Sequence, residues 1–355
     1  MRPIGGILFG HIGDRYGRKF ALSLSILLMA IPTAAIGLLP DYEEIGIWAS
    51  LMLLVCRLLQ GISAGGEYNG AFIFLIEHGR KENAGFIGSL VVSSCALGAL
   101  LAVFSGSLAL HSSMPTWAWR VPFLLGGVVG LVGIYIRTRM EESPEFLQYA
   151  SKRLVSAVPI IQAIKKEGIS IVLTIGVATF CHVLINTMTV YINIYLNVVL
   201  NFPLGSALML NTVALLFFTA TVPFVGFISD KIGQINIMIC VSALCIGAIY
   251  PIFLLFSTKI LGLVLIGEIL LGILAASFAA VINAFMYKAF SAPTRYSGSA
   301  FSYGIGGAIG GATSIMCSYL IYHTNNKMIP ALYITVFSIM GLLFSLLSKR
   351  FFCKN

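Results

Sequence analysis

Long apolar blocks alternate with short polar breaks along almost the whole chain. Ten blocks reach the length that crosses a bilayer core, about 20 mainly apolar residues. They lie near 20–39, 47–76, 85–110, 118–137, 169–197, 204–228, 236–256, 260–288, 298–322 and 329–348. Each is predicted to be a helix, and the longer ones to tilt or run past the bilayer. Ten such helices take about 200–220 residues, well over half of the 355 present. That describes an all-α polytopic membrane protein, not a soluble enzyme carrying an anchor.

Composition agrees. Hydrophobic residues make up 58% of the chain and charged residues 10%, against about 45–50% and 25% in a soluble domain. Too few charges remain to coat a water-facing surface. The net charge of +9 suggests nucleic acid until the basic residues are placed. Eighteen fall in one alternate set of breaks, from Arg2 through Arg80, Arg137, Arg153, Lys231 and Arg295 to Lys354; the other set holds only Lys259 and Lys327. Basic loops stay on the cytoplasmic side, so the first segment, the 138–168 linker and the C-terminus are predicted to be cytoplasmic. The excess charge then reports orientation, and no nucleic-acid partner is expected. The seven cysteines have no CxxC spacing, and six lie in apolar runs; they read as small core residues without a metal or redox role. No cleavable signal peptide is visible.

The linker 138–168 divides the blocks four and six. Within it Ser143-Pro144-Glu145 reads as a helix start: a Ser cap, Pro where no N–H is needed, and Glu favoured by the helix dipole. Short helices on the membrane surface and a passive tether are both compatible with this stretch.

A repeat links the two sides. Gly10-His11-Ile12-Gly13-Asp14-Arg15-Tyr16-Gly17-Arg18 matches Gly226-Phe227-Ile228-Ser229-Asp230-Lys231-Ile232-Gly233-Gln234 at an offset of 216 residues. Parallel repeats of six spans describe a two-half transporter. The expected division is a first half over 1–137, the linker 138–168, a six-span half over 169–349 and a tail over 350–355. The second copy has 61 residues between the start of its half and Asp230, the first only 13 before Asp14. About 48 residues, one span and most of another, are therefore expected to lie upstream or to be lost.

The loop Gly10…Asp14-Arg15-Tyr16-Gly17-Arg18-Lys19 resembles the signature of the major facilitator superfamily. Arg57-Leu58-Leu59-Gln60-Gly61 with Gly65-Gly66-Glu67-Tyr68, Trp119-Arg120-Val121-Pro122-Phe123 and Glu142-Ser143-Pro144-Glu145-Phe146 narrow the resemblance to its metabolite:proton symporters, which include proline/betaine transporters. The resemblance implies a two-half bundle of twelve spans, of which ten are complete here. It implies a bacterial inner membrane and a proton gradient as the driving force, with no cofactor. Gln234 departs from the usual basic residue, and no long C-terminal coiled coil follows the last span. The block 85–110 lacks the Gly-Pro pair frequent in antiporters of the superfamily, which favours symport.

Ionisable groups inside a membrane are costly unless they meet a cavity or a partner. Arg57, Gln60, Gly61, Ala64, Glu67, Tyr68 and Ala71 share an arc of about 120° at 100° per residue. Arg57 matches the span-four arginine that the resemblance ties to proton coupling; a structural ion pair is the other reading. Thr179, His182, Asn186, Thr189, Asn193 and Asn197 form a stripe of about 80°, with Tyr191 and Tyr195 opposite. It lines a cavity or a helix seam, and His182 has the side chain to relay protons. Glu268, Gly272, Ala279 and Asn283 share about 60°. The candidate pathway is Arg57, Glu67, His182, Asn186, Asn193, Glu268 and Asn283. Asp14, Arg15, Gly17, Arg18 and Lys19, with Asp230, Lys231 and Gly233, form two loops in which a carboxylate beside basic groups at a helix end can act as a breakable latch. The small-x3-small patterns Gly306-x3-Gly310 and Gly307-x3-Gly311 read first as close packing.

The expected function is proton-coupled symport of a small organic solute, a zwitterion such as proline or betaine or a carboxylate such as 2-oxoglutarate. A non-transporting remnant is the alternative. The partners are lipid, solute and protons, and oligomeric state is left open. No metal cluster, nucleophile–base pair or phosphate loop supports a membrane enzyme.

Overall fold

The computed structural model describes residues 1–109, 114–152 and 156–352. Arg153, Cys353 and Lys354, the end of the 85–110 block and the last residues of the tail lie outside them. All regular structure among the described residues is helical. Among the described residues ten helical segments are long and apolar enough to cross a membrane, one of them Arg295–Thr324 in two pieces, as the block pattern predicts.

A short helix, α1 (Arg2–Arg15), precedes the first spans α2 (Arg18–Leu38), α3 (Ile47–His78), α4 (Ala84–Ala109) and α5 (Arg120–Arg139). At 1.5 Å per residue α1 is about 21 Å long, short of a hydrocarbon core of about 30 Å. The linker folds as α6 (Pro144–Ser151), with Ser143 accepting from the Phe146 N–H and Pro144 in the first turn, as its sequence predicts. Then follow α7 (Pro159–Asn186), α8 (Leu204–Ile232), α9 (Gln234–Ser257), α10 (Leu261–Ala289), α11 (Arg295–Gly311), α12 (Thr313–Thr324) and α13 (Ile329–Phe352).

The helices overrun their apolar blocks for physical reasons. The end of α3 runs on through Glu77 and His78 because Glu77 enters an ion-pair cluster and not water. The axis of α7 breaks at Glu167 (φ −127°, ψ 29°), so its amphipathic first turns are set off from the span. That span continues through two π-helical turns, Thr187–Tyr191 and Tyr195–Val199. A straight α-helical phase therefore does not hold along the polar stripe, although Tyr191 and Tyr195 are buried opposite it.

The chain divides into two compact units, one of residues 1–78, 98–168 and 290–304, the other of 79–97, 169–289 and 305–355. In the first unit α1 packs by small residues. A Cβ at Gly5 would stand 1.9 Å from the Ile62 carbonyl oxygen of α3, and one at Gly10 2.7 Å from Cα of Ser297 on α11. In the second, Gly226 of α8 and Gly85 of α4 oppose each other so closely that a Cβ on either would come within 3 Å of the other's carbonyl oxygen. Gly310 brings α11 against His182 and Thr179 of α7, where a Cβ would stand 2.6 Å from that of His182. Gly306 faces Ala178 of the same helix. Close packing is what Gly306-x3-Gly310 provides; in the second pattern Gly307 stands against the His182 ring, while nothing lies within 4 Å of a Cβ at Gly311.

Cys56, Cys181, Cys245 and Cys317 are buried as expected, but Cys95 and Cys240 are exposed. In a bilayer protein an apolar run has an outward face as apolar as its core, so hydropathy cannot assign their side.

The contact at Gly10 has little room to relax, because the opposing atom is backbone. Gly10→Ala is expected to destabilise the detergent-purified protein by about 1–3 kcal/mol in thermal unfolding. Gly98→Ala, where nothing lies within 4 Å, is expected to stay within about 0.5 kcal/mol of the parent.

Candidate functional site

Both copies of the repeated loop turn on a glycine that no other residue replaces without strain. Gly17 has φ 114° and Gly233 φ 95°, outside the range of L side chains. Each turn ends one helix and starts the next, and each leaves the preceding aspartate at a helix terminus of distant sequence. Asp14 accepts from the N–H groups of Tyr296 (3.2 Å) and Ser297 (2.8 Å), the first turn of α11. Asp230 accepts from the N–H groups of Gly85 (2.6 Å) and Phe86 (2.9 Å), the first turn of α4. In both cases a carboxylate meets unpaired amides and the positive end of a helix dipole. These contacts belong to the two segments, 290–304 and 79–97, that depart from chain order in the units.

In the first loop Asp14, Gly17 and Arg18 are buried. Arg18 Nη1 lies 2.7 Å from Asp14 Oδ1, with both side chains at 0% exposure. The guanidinium also donates to the carbonyls of Gly13 (2.6 Å) and Ala292 (2.8 Å) and stands 3.5 Å from Glu77. Glu77 in turn pairs with Arg295 (3.0 Å), and Arg295 with Glu145 of α6 (2.5 Å). Acid and base thus alternate from α1 through α2, α3 and α11 to α6. Ser143 donates to Glu77, and Glu142 accepts from the N–H groups of Arg18 (3.0 Å) and Lys19 (3.2 Å) at the start of α2. Burial pushes the Asp14 carboxyl above the ordinary carboxylate range; Arg18 and the amides of Ser297 and Tyr296 oppose that rise. Every opposing contact is one the carboxylate accepts. Burial also pushes the Tyr149 hydroxyl up, so it stays protonated and donates to the Asp14 carbonyl (3.2 Å).

Two of the three basic neighbours expected around Asp14 go elsewhere. Arg15 is exposed and donates to the Ala157 carbonyl (3.1 Å), and Lys19 Nζ donates to that of Thr138 (3.1 Å). Positions one and five residues after the aspartate leave the helix end on other faces, and only Arg18, at i+4, returns to it. The sequence assigns none of Glu77, Glu142, Glu145 and Arg295 to this cluster; Glu142 and Glu145 stand out in it only as a helix start and a family motif. Glu77 sits one residue past an apolar block and Arg295 counts as a topology charge; only the Ser143 helix start signals that this region is ordered.

The second loop is weaker. At i+4 from Asp230 stands Gln234, which donates to it at 3.4 Å. Lys288 of α10 donates to Gln234 Oε1 at 2.8 Å, so the cation acts through an amide. Lys231 instead lies 4.7 Å over the Phe227 ring.

The intramembrane candidates fall into separate groups. In the first unit Arg57 is exposed and donates to Gln60 (3.1 Å), which donates to Thr33 (2.8 Å). Glu67 is paired with Arg137 of α5 at 3.0 Å. In the second unit His182 Nδ1 donates to the Ala178 carbonyl (2.8 Å), because a carbonyl can only accept. Asn186 accepts from Ser314 of α12 (2.7 Å), and Asn193 reaches the Thr189 carbonyl at 3.4 Å. The stripe is thus partly a seam against α11 and α12, with His182, Asn186 and Asn193 half-buried. Asn283 is buried and donates to the Gly88 carbonyl of α4 (2.9 Å). Glu268 is 1% exposed, and neither oxygen has a hydrogen-bond partner in the structure. Its polar neighbour Asn211 donates to the Met188 carbonyl at 2.7 Å, in a π-helical turn. Among the described residues no His, Cys, Asp and Glu group could hold a metal ion.

A polytopic helical bundle with paired aspartate-capped loops and few intramembrane charges has the form of a secondary transporter. Residues 3–312 match the Major Facilitator Superfamily, and the chain belongs to it. It is 31% identical over 363 residues to the glycine betaine/proline/ectoine/pipecolic acid transporter OusA of Dickeya dadantii (strain 3937), covering 99% of this chain and 72% of that protein. It is 30% identical to the proline/betaine transporter of Escherichia coli (strain K12), covering 99% and 73%. Among solved structures it resembles the proton:xylose symporter XylE (TM-score 0.77, 17% identity, 99% of this chain and 83% of that one). It also resembles the E. coli fucose:proton symporter FucP (TM-score 0.72, 15% identity, 98% and 87%). The chain is a multi-pass membrane protein and a secondary transporter of small solutes.

The two loops differ in burial and in charge, and the difference is measurable. Asp14→Asn leaves Arg18 buried without its nearest counter-charge and is expected to cost about 3–5 kcal/mol in thermal unfolding. Asp230→Asn removes a cap backed only by an amide and is expected to cost about 1 kcal/mol.

Proposed function

We propose that the chain is a proton-coupled symporter of a small zwitterionic solute, in which Glu268 carries the proton. The observation that supports this reading is the state of the Glu268 carboxyl: buried within a membrane span, neither oxygen meeting hydrogen-bond geometry among the described residues, with the neutral side chain of Asn211 as its polar neighbour. An ionised group there would stand unpaired in an apolar interior, which is costly. Gaining and losing a proton changes what the site tolerates, and that is the property coupling requires. Glu67 already has its counter-ion in Arg137 and suits a structural role better.

Arg57, exposed, hydrogen-bonded to the neutral amide of Gln60, 5.9 Å from the Phe123 ring centroid and in no ion pair among the described residues, is available to a solute carboxylate. His182, Asn186, Asn193 and Asn283 supply polar contacts and helix seams around the second-unit pathway. The proline/betaine names of the relatives favour a zwitterion over a dicarboxylate such as 2-oxoglutarate. The Asp14 and Asp230 caps act as latches that open and close during alternating access. By the positive-inside bias both lie on the cytoplasmic side of a bacterial inner membrane, with the C-terminus. Protons supply the drive, without a cofactor.

Proteoliposomes with an imposed pH gradient, acid outside, test the coupling. Proline or betaine uptake is expected to exceed that of 2-oxoglutarate, and Arg57→Ala to lose it. Glu268→Gln is expected to keep solute exchange at equal pH while losing gradient-driven accumulation. Undiminished accumulation in Glu268→Gln would overturn its role as proton carrier.

A further inference from the structure

An apolar groove opens in the first unit between α2, α3 and α5, enclosing about 230 Å³. Leu22 and Ile26 of α2, Phe74 and Leu75 of α3 and Ile136 of α5 line it. Lys19 and Arg137 are the charged residues of the lining, and both sit at the same end of the antiparallel pair, Lys19 in the first turn of α2 and Arg137 in the last turn of α5. From Lys19 to Ile26 the groove follows two turns of α2, about 10 Å along its axis.

The two basic groups are in different states. Arg137 pairs with Glu67 (3.0 Å) and donates to the Leu22 carbonyl, so its charge is met. The Lys19 ammonium makes one hydrogen bond, to the Thr138 carbonyl (3.1 Å). No described carboxylate lies within ion-pair distance of it; Glu142 is turned to the backbone amides of Arg18 and Lys19. A cation in no ion pair among the described residues therefore stands at the end of a helix long and apolar enough to cross a membrane, beside an apolar furrow that runs along that helix.

We infer that this groove binds one anionic glycerophospholipid, its acyl chain along Leu22, Ile26, Phe74 and Leu75 and its phosphate on Lys19. Charge complementarity selects the occupant. A basic pocket between spans recognises an anionic headgroup, whereas a zwitterionic lipid brings its own cation to a site that already has one. The inference does not depend on the solute or on proton coupling, and its test reads binding alone.

The purified full chain in neutral detergent is titrated with phosphatidylglycerol, with phosphatidylcholine of the same acyl chains and with inorganic phosphate, and bound species are counted by native mass spectrometry. One phosphatidylglycerol is expected to bind more tightly than phosphatidylcholine. Lys19→Gln is expected to weaken it about five-fold, the effect of one basic residue at a membrane surface, while Lys19→Arg retains it. Leu75→Trp, a change at a 41% exposed position, is expected to block the groove and remove the bound lipid with Lys19 intact. Equal affinity for the two lipids, or phosphatidylglycerol binding unchanged in both Lys19→Gln and Leu75→Trp, would overturn the inference. So would displacement by inorganic phosphate alone, which would mark an anion site without a lipid groove.

Discussion

The capture of a helix terminus by a carboxylate distant in sequence is the constraint on which the first unit depends. The amide of Tyr296 lies 282 residues beyond Asp14, yet its partner is that side chain. Membrane helices gain little by burying apolar surface against one another, since lipid is as apolar as they are. Directional polar contacts and close packing at small residues must then fix which helices meet. Asp14 supplies the first, and the glycines of α1 supply the second along the same face. With Arg18 fully buried behind it, the aspartate also anchors the chain of alternating charges that draws α6 onto the unit.

The repeat uses the same device twice with unequal strength. Asp230 captures the start of α4 as Asp14 captures the start of α11, and Gly17 and Gly233 make the same turn. Where the first loop places a guanidinium against its carboxylate, the second places Gln234 and, beyond it, Lys288. A buried ion pair is costly to break once formed, whereas a cap supported by an amide opens more readily. The two caps therefore differ in what it costs to open them.

Much of this was legible in the sequence. Ten spans follow from hydropathy because a bilayer leaves a helix no other solution, and the Ser143 cap follows from local chemistry alone. The two aspartate loops are visible as a repeat. What periodicity does not carry is pairing across the chain. Arg137 and Arg295 count as charges that orient loops, yet they hold Glu67 and Glu77. Arg15 and Lys19 look like partners of Asp14, yet they leave the helix end on other faces. The stripe from Thr179 to Asn197 reads as one face only while the helix stays α-helical, and two π-turns intervene. Glu268 and Glu67 look alike as lone acids in apolar runs; only their surroundings separate the one paired with Arg137 from the one beside a neutral amide.

Hydrogen exchange at the captured helix ends tests the central claim most directly. In the intact protein the amides of Tyr296 and Ser297, and those of Gly85 and Phe86, are expected to be protected. Asp14→Asn is expected to speed exchange at Tyr296 and Ser297 while Gly85 and Phe86 keep their protection, and Asp230→Asn is expected to do the reverse. Unchanged exchange at both helix ends in both variants would contradict the account, because it would mean that neither aspartate holds the helix it caps.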